Sequence, residues 1–158
     1  MDKEITPISR LWLRSKKKNK NMVGDNYIER LNYVRLSYYL INCGYFTQWL
    51  SIDDNGADFT AIKYDSSTIY KIQLKSRVTL NSKYEDKDLC IAFPLNSKKP
   101  EKDWVIVKYT DLKEIFGNQK SYVEKGSWST PSVPKKYRQQ VIAASLIAPV
   151  SFNWFNEQ

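Results

Sequence analysis

Ala57-Asp58-Phe59-Thr60-Ala61-Ile62-Lys63-Tyr64, then Asp65-Ser66-Ser67-Thr68, then Ile69-Tyr70-Lys71-Ile72-Gln73-Leu74-Lys75-Ser76-Arg77 is the stretch on which the fold turns. Two runs with alternating polarity flank a cluster of turn-forming residues, the pattern of a β-hairpin. With a turn at residues 65–68, Asp58 faces Lys75, Thr60 faces Gln73 and Ile62 faces Lys71. The opposite face pairs Phe59 with Leu74, Ala61 with Ile72 and Lys63 with Tyr70. One side of the ribbon is then mostly apolar and suited to a core. The other side gathers an acid, an amide and a lysine. Opposite Cβ atoms in an antiparallel pair lie ~5 Å apart, and diagonal ones ~7–8 Å. Groups at those separations can share a metal ion or a polarised water.

The flanking sequence continues the α/β pattern. Residues 26–43 predict a helix, with Tyr27, Leu31, Val34, Tyr38 and Ile41 on one face, a cap at Asp25 or Asn26 and a stop at Gly44. Glu29 falls in its first turn. There it either closes a capping box with Asn26 or reaches a site at the strand ends. Residues 45–52 predict a strand, and Asp53-Asp54-Asn55-Gly56 a turn. Residues 88–94 and 103–109 predict two more strands, followed by a short helix ending at Gly117. Residues 118–133 read as polar turns in which Trp128 is either a lid on the core or a stacking surface. A last helix begins near Pro134 and runs to about Leu146, and the aromatic end from Val150 to Phe155 packs back on the domain. The expected fold is α/β, a mixed central β-sheet flanked by helices, within one domain spanning residues 1–158.

Composition narrows the chemistry. The chain has 158 residues and 42% apolar content, enough for a core, and no apolar run approaches the ~20 residues of a membrane helix. The start Met1-Asp2-Lys3-Glu4 has no signal-peptide pattern, which together with two cysteines in apolar strings (Cys43, Cys90) predicts a cytoplasmic protein with buried, reduced thiols. Histidine is absent. That excludes Ser-His-Asp triads, histidine general bases and histidine-ligated zinc, and two cysteines cannot make a four-cysteine zinc site. A site built from carboxylate, lysine and metal survives these exclusions.

The net charge of +8 suits a polyanionic partner. Residues 1–24 carry seven Lys/Arg against two acids, so +5 of the +8 lies there. Arg10, Arg14, Lys16, Lys17, Lys18 and Lys20 make the dense run. This basic N-terminal arm is either a solvated tail or a phosphate-binding segment contributing salt-dependent affinity without sequence information. Lys135, Lys136 and Arg138 in the first turns of the last helix, expected to face solvent, and Arg77 just past the hairpin are further candidates for phosphate contact.

Gly56-Ala57-Asp58 followed by Gln73-Leu74-Lys75 resembles the motif of the PD-(D/E)XK, restriction-endonuclease-like, nuclease superfamily. There an Asp opens the second core strand and (Glu/Gln)-x-Lys lies on the third. The chain follows the Gln-x-Lys variant. The resemblance covers roughly residues 25–110 and implies a restriction-endonuclease-like core. It further implies metal-dependent hydrolysis of DNA phosphodiesters with Mg²⁺ or Mn²⁺ as cofactor. By that resemblance Asp58 supplies the carboxylate ligand, Gln73 an amide oxygen and Leu74 its backbone carbonyl. Glu29 holds an outer water or a second metal. Lys75 orients the attacking water and stabilises charge, or takes a proton. Other readings stand beside it: a nuclease-derived protein that binds nucleic acid without cleaving it, and an unrelated α/β interaction module whose Asp58–Lys75 pair is a surface salt bridge worth under ~1 kcal/mol. A small nuclease cutting both strands would often act as a homodimer or higher homo-oligomer, and the sequence marks no surface for it.

Overall fold

The computed structural model describes residues 25–152. The basic arm, with Arg14, Lys16, Lys17, Lys18 and Lys20, lies outside the described residues, as do residues 153–158. The chain runs through helix α1 (Asp25–Asn42), strands β1 (Tyr45–Asp54), β2 (Ala57–Lys63), β3 (Ile69–Leu74) and β4 (Val78–Asn81), and a short 3-10 turn at Ser82–Tyr84. Strands β5 (Leu89–Pro94) and β6 (Trp104–Lys108), helices α2 (Tyr109–Phe116) and α3 (Lys120–Lys125), strand β7 (Ser127–Thr130) and helix α4 (Lys135–Ala144) follow. Five strands form a mixed sheet in the order β1-β2-β3-β5-β6, in which only the β3–β5 pairing is parallel. The α/β expectation holds, with helices on both faces of a mixed central sheet.

Each face of the sheet carries its own core. On one side α1 packs Leu36 and Leu40 against Phe59, Ala61, Ile72, Cys90, Ala92 and Ile106. On the other, α2 and α4 pack Leu112, Phe116 and Val141 against Ile91, Phe93, Val105 and Val107. Strand β5 is covered on both faces, and all six of its residues are buried. That explains why Leu89–Pro94 reads as a continuous apolar run rather than an alternating one. The free edge of β6 is met by isolated bridges from Trp104 to Val150 and from Val107 to Ser145. Val150 and Phe152 are buried, so the C-terminal segment does return to the domain as far as it is described.

Three expectations need correcting. First, α1 buries a different face. Asn32, Leu36, Ser37 and Leu40 are buried, while Tyr27, Val34, Tyr38 and Ile41 are exposed. This helix carries large apolar residues nearly all round, so periodicity offered two competing stripes. The aromatic surface of Trp49 and Phe59, touched by Tyr33 at ring-centroid distances of 5.1 Å, selects between them. Ser37 is tolerated inside because Thr47 Oγ1 donates a hydrogen bond to its hydroxyl at 2.9 Å. Second, residues 118–133 are not simply turns. They contain α3 and β7, and β7 pairs with β4 in a separate two-stranded sheet. Trp128, in β7, stacks on Phe116 at 4.6 Å and closes the core. Third, Cys43 is exposed, and only Cys90 is buried.

The β1–β2 connection is tighter than a four-residue turn. Asp54 pairs with Ala57, leaving Asn55 (φ 57°) and Gly56 (φ 90°) as the loop. Two successive left-handed residues with the sequence Asn-Gly make the type I′ turn that matches strand twist. Gly56 is doubly required, because a Cβ there would stand 3.0 Å from Cε1 of Tyr84.

Candidate active site

The β2–β3 hairpin forms, but its register differs by two residues from the expected one. Phe59 pairs with Ile72, Thr60 with Lys71, Ala61 with Tyr70 and Ile62 with Ile69. The loop is longer, spanning residues 64–68, with the Ser66 N–H bonded to the Lys63 carbonyl and the Thr68 N–H to Ser66 Oγ. A shift of two leaves every side chain on its original face, since strand side chains alternate with period two. The chemistry of the face is therefore preserved, while the partners change. Continuing the register sets Asp58 opposite Gln73, not Lys75.

At this end β2 and β3 part, and the Asp58 side chain fills the gap. Its Oδ2 accepts from the Leu74 backbone N–H at 2.6 Å and from Gln73 Nε2 at 2.6 Å. The same amide nitrogen lies 3.2 Å from the Leu74 carbonyl oxygen. A carboxylate thus replaces a backbone carbonyl in the ladder at the point where β3 has parted from β2 but still pairs with β5. Just beyond, the Lys75 N–H donates to the Ala92 carbonyl at 2.8 Å. Gln73 is 8% exposed, so its amide hydrogen bonds are made in a largely dry setting.

Three polar groups, the Asp58 carboxylate, the Gln73 amide and the Leu74 carbonyl, therefore converge at one place. Rotating the amide by half a turn exchanges its nitrogen and oxygen. Three oxygens would then meet, an arrangement that repels itself unless a cation sits among them. Hard oxygen donors of this kind suit Mg²⁺ or Mn²⁺. The residues present fit such an ion, with Asp58 as the charged ligand. Among the described residues no three of His, Cys, Asp and Glu come together as a metal cluster, so the two neutral oxygens would have to complete the set.

Lys75 projects to a different partner from the one the hairpin pattern suggests. Its Nζ lies 5.5 Å from the ring centroid of Tyr84, a cation–π separation. Tyr84 is buried, edge-on to Tyr109 at 6.1 Å, and is in turn held close by Gly56. The ring thus joins the start of β2 to the end of β3 and carries the lysine head between them. Sequence gave no signal for Tyr84, because nothing local links it to Lys75.

Glu29 is half-buried on the face of α1 that turns toward the sheet, one turn before Tyr33, whose ring meets Phe59; α1 covers the Phe59 face, so Glu29 stands on the side of the sheet opposite the face of Asp58 and Gln73. The helix begins at Asp25, so Asn26 lies inside it and is not its cap. Arg77 is exposed between β3 and β4. Lys135 and Lys136 are exposed, as expected, on a helix that packs against α2 and β6. Arg138 departs from expectation: it is partly buried, and its Nε is shielded from solvent without a hydrogen-bond partner. The helix presses it onto the domain, since Arg138 lies three residues before the core-facing Val141 and so shares its side.

Among the described residues, the sheet face that carries Asp58 and Gln73 is covered over β5 and β6 but open over β1, β2 and β3. Gln48, Thr60 and Lys71 make one cross-strand row there, and Phe46, Ile62 and Ile69 the next. Comparison with protein-family models, with curated proteins and with solved structures found no match.

Proposed function

We propose that the chain is a metal-dependent endonuclease that hydrolyses DNA phosphodiesters at the Asp58–Gln73–Lys75 site, with the restriction-endonuclease-like core as its scaffold. The observation that carries this reading is the convergence of the Asp58 carboxylate, the Gln73 amide and the Leu74 carbonyl at the parting of β2 and β3. A divalent cation held there supplies neutralising charge at the scissile phosphate and a polarised water. The chain's own residues do the remaining work. Asp58 is held by two short hydrogen bonds, so its carboxylate is already aimed before substrate arrives. Gln73 brings a ligand atom without a second negative charge, which lowers metal affinity in the absence of nucleic acid. Lys75, steadied on the Tyr84 ring, places a positive charge where negative charge develops on the phosphate oxygens. The basic arm, Arg77, Lys135 and Lys136 supply phosphate affinity. The protein acts as a homodimer or higher homo-oligomer where both strands are cut.

Plasmid incubated with Mg²⁺ or Mn²⁺ should be nicked or linearised, EDTA should stop the reaction, and Asp58→Ala should abolish it. Metal-independent cleavage, or full cleavage by Asp58→Ala, would refute the reading. A second reading has one observation in its favour: the Gln73 amide closes onto Asp58 by hydrogen bonds that need no cation. It makes the chain a nucleic-acid binder of nuclease descent that does not cleave. Salt-dependent DNA binding without metal-dependent cleavage would select it.

A further inference from the structure

We infer that the open face of β1, β2 and β3 binds an unpaired stretch of a nucleic-acid strand, with its bases stacking on Phe46 and Tyr64. This deepens the proposed function and rests on the chain being a nucleic-acid enzyme or binder. Phe46 is 61% exposed and Tyr64 77% exposed, and their ring centroids lie 6.0 Å apart with the planes tilted by 45°. Ile69, 55% exposed, and the half-buried Ile62 extend the same row across the sheet. Large apolar side chains left exposed in a contiguous row call for an occupant.

Position and charge identify that occupant. The row is continuous with the candidate active site on a single sheet face. From Asp58 to Ile62 is four strand residues, about 13 Å at the usual rise per residue. Between the two stands the Gln48–Thr60–Lys71 row, which offers an amide, a hydroxyl and a cation. A strand whose phosphate lay at Asp58 would pass over these polar groups and then reach the aromatic pair. The chain's net charge of +8, of which +3 lies in residues 25–158, and Lys71 on the face itself favour such a polyanion over an apolar protein segment. Duplex DNA shows its phosphates and sugars outward and keeps its bases stacked within, so it has no apolar face to offer Phe46 and Tyr64. An unpaired strand does, and base-on-aromatic contact beside a cationic track is how such strands are held. The substrate class is therefore nucleic acid with a single-stranded segment next to the cleaved bond.

The test is fluorescence anisotropy with the full-length protein in EDTA, so that binding is read without cleavage. The probes are one labelled single-stranded oligonucleotide and the same sequence as a blunt duplex. Wild type should prefer the single strand. Phe46→Ala and Tyr64→Ala should each weaken single-strand binding by roughly fivefold or more, with duplex binding unchanged. Phe46→Trp should retain the wild-type preference. Both rings are exposed, so circular dichroism melts should match wild type. Equal affinity for the two probes, no binding of either, or alanine variants that bind like wild type would overturn the inference. So would sedimentation showing that Phe46→Ala converts a dimer to a monomer, which would make this face a contact between copies. Loss of the nuclease reading has a different signature: no metal-dependent cleavage, with ring-dependent single-strand binding intact.

Discussion

The Gln73 amide nitrogen lies 2.6 Å from Asp58 Oδ2, the same oxygen that receives the Leu74 backbone N–H at 2.6 Å. One carboxylate oxygen thereby locks the ends of two strands that have stopped pairing through their backbones. Under the proposed function, a catalytic and a structural duty fall on one atom. Substitutions here should therefore move stability and activity together, by amounts the geometry separates.

Asp58→Ala leaves the Leu74 N–H without its acceptor and the Gln73 amide with the Leu74 carbonyl alone. The expected cost is about 1–3 kcal/mol, the penalty for stranding a buried donor. Asp58→Asn keeps an acceptor oxygen and should cost less, yet it removes the charge that a metal needs. Denaturant melts and plasmid cleavage on the two variants separate the roles. Equal stability of Asp58→Ala and wild type would mean that these hydrogen bonds are not formed in solution.

Gln73→Glu sets a second carboxylate against Asp58. Two carboxylates in one site resist joint ionisation, so the metal-free protein should melt lower than wild type at neutral pH. Mn²⁺ should restore it and bind more tightly than to wild type, because binding to the native state alone raises stability. Gln73→Leu should lose metal binding. Calorimetric titration of Mn²⁺ into the three proteins decides the question, and equal affinity in wild type and Gln73→Leu would remove Gln73 from the ligand set.

Tyr84 should act as a positioning residue for Lys75, whose ammonium rests 5.5 Å from its ring. Tyr84→Phe retains the π face and should keep the cleavage rate. Tyr84→Leu should lower kcat while leaving KM nearly unchanged, consistent with the ~0.5–2 kcal/mol range of such contacts. A purely structural role would lower the melting temperature of both variants and leave the kcat of the folded fraction alone.

Hydrogen bonds from Tyr122 and from Lys113, which lies 3.1 Å away, hold the Glu85 carboxyl below the usual carboxylate range. A depressed folded-state value means stability that is present above the unfolded pKa of about 4.3 and lost as pH falls through the folded value. Glu85→Gln should therefore flatten the acid limb of a melting-temperature profile. An identical acid limb in the variant would show that this pair does not couple folding to pH.

The two thiols should differ sharply. Cys43 is exposed, whereas burial pushes the Cys90 thiol up to about 12. A thiol reagent at neutral pH should label one cysteine quickly and the second only after denaturation. Cys43→Ser should remove the fast phase, and its survival would place the reactive thiol at Cys90.

The hairpin and the composition of its two faces were readable from alternation alone, whereas β4, β7 and the order β1-β2-β3-β5-β6 with its parallel β3–β5 pairing were not. Phe59, Ala61 and Ile72 must leave water, which sends Asp58, Thr60, Lys71 and Gln73 to the other side whatever the register. The absence of histidine likewise limited the chemistry before any folding was considered. Register itself was not readable, because a slip of two residues changes no side chain's face and only the length of the 64–68 loop distinguishes the alternatives. The buried stripe of α1 was undecided for a similar reason: Tyr27, Val34, Tyr38 and Ile41 are as apolar as the residues that won. Packing against Trp49 and Phe59 chose between them. The partners of the site residues came last. Asp58 meets Gln73 because two strands part there, and Lys75 meets Tyr84 because the chain returns through a 3-10 turn nine residues later. Local sequence carries the preference of each residue for a face or an element. Contacts between separated segments depend on where the whole chain closes, and only the tertiary structure supplies that.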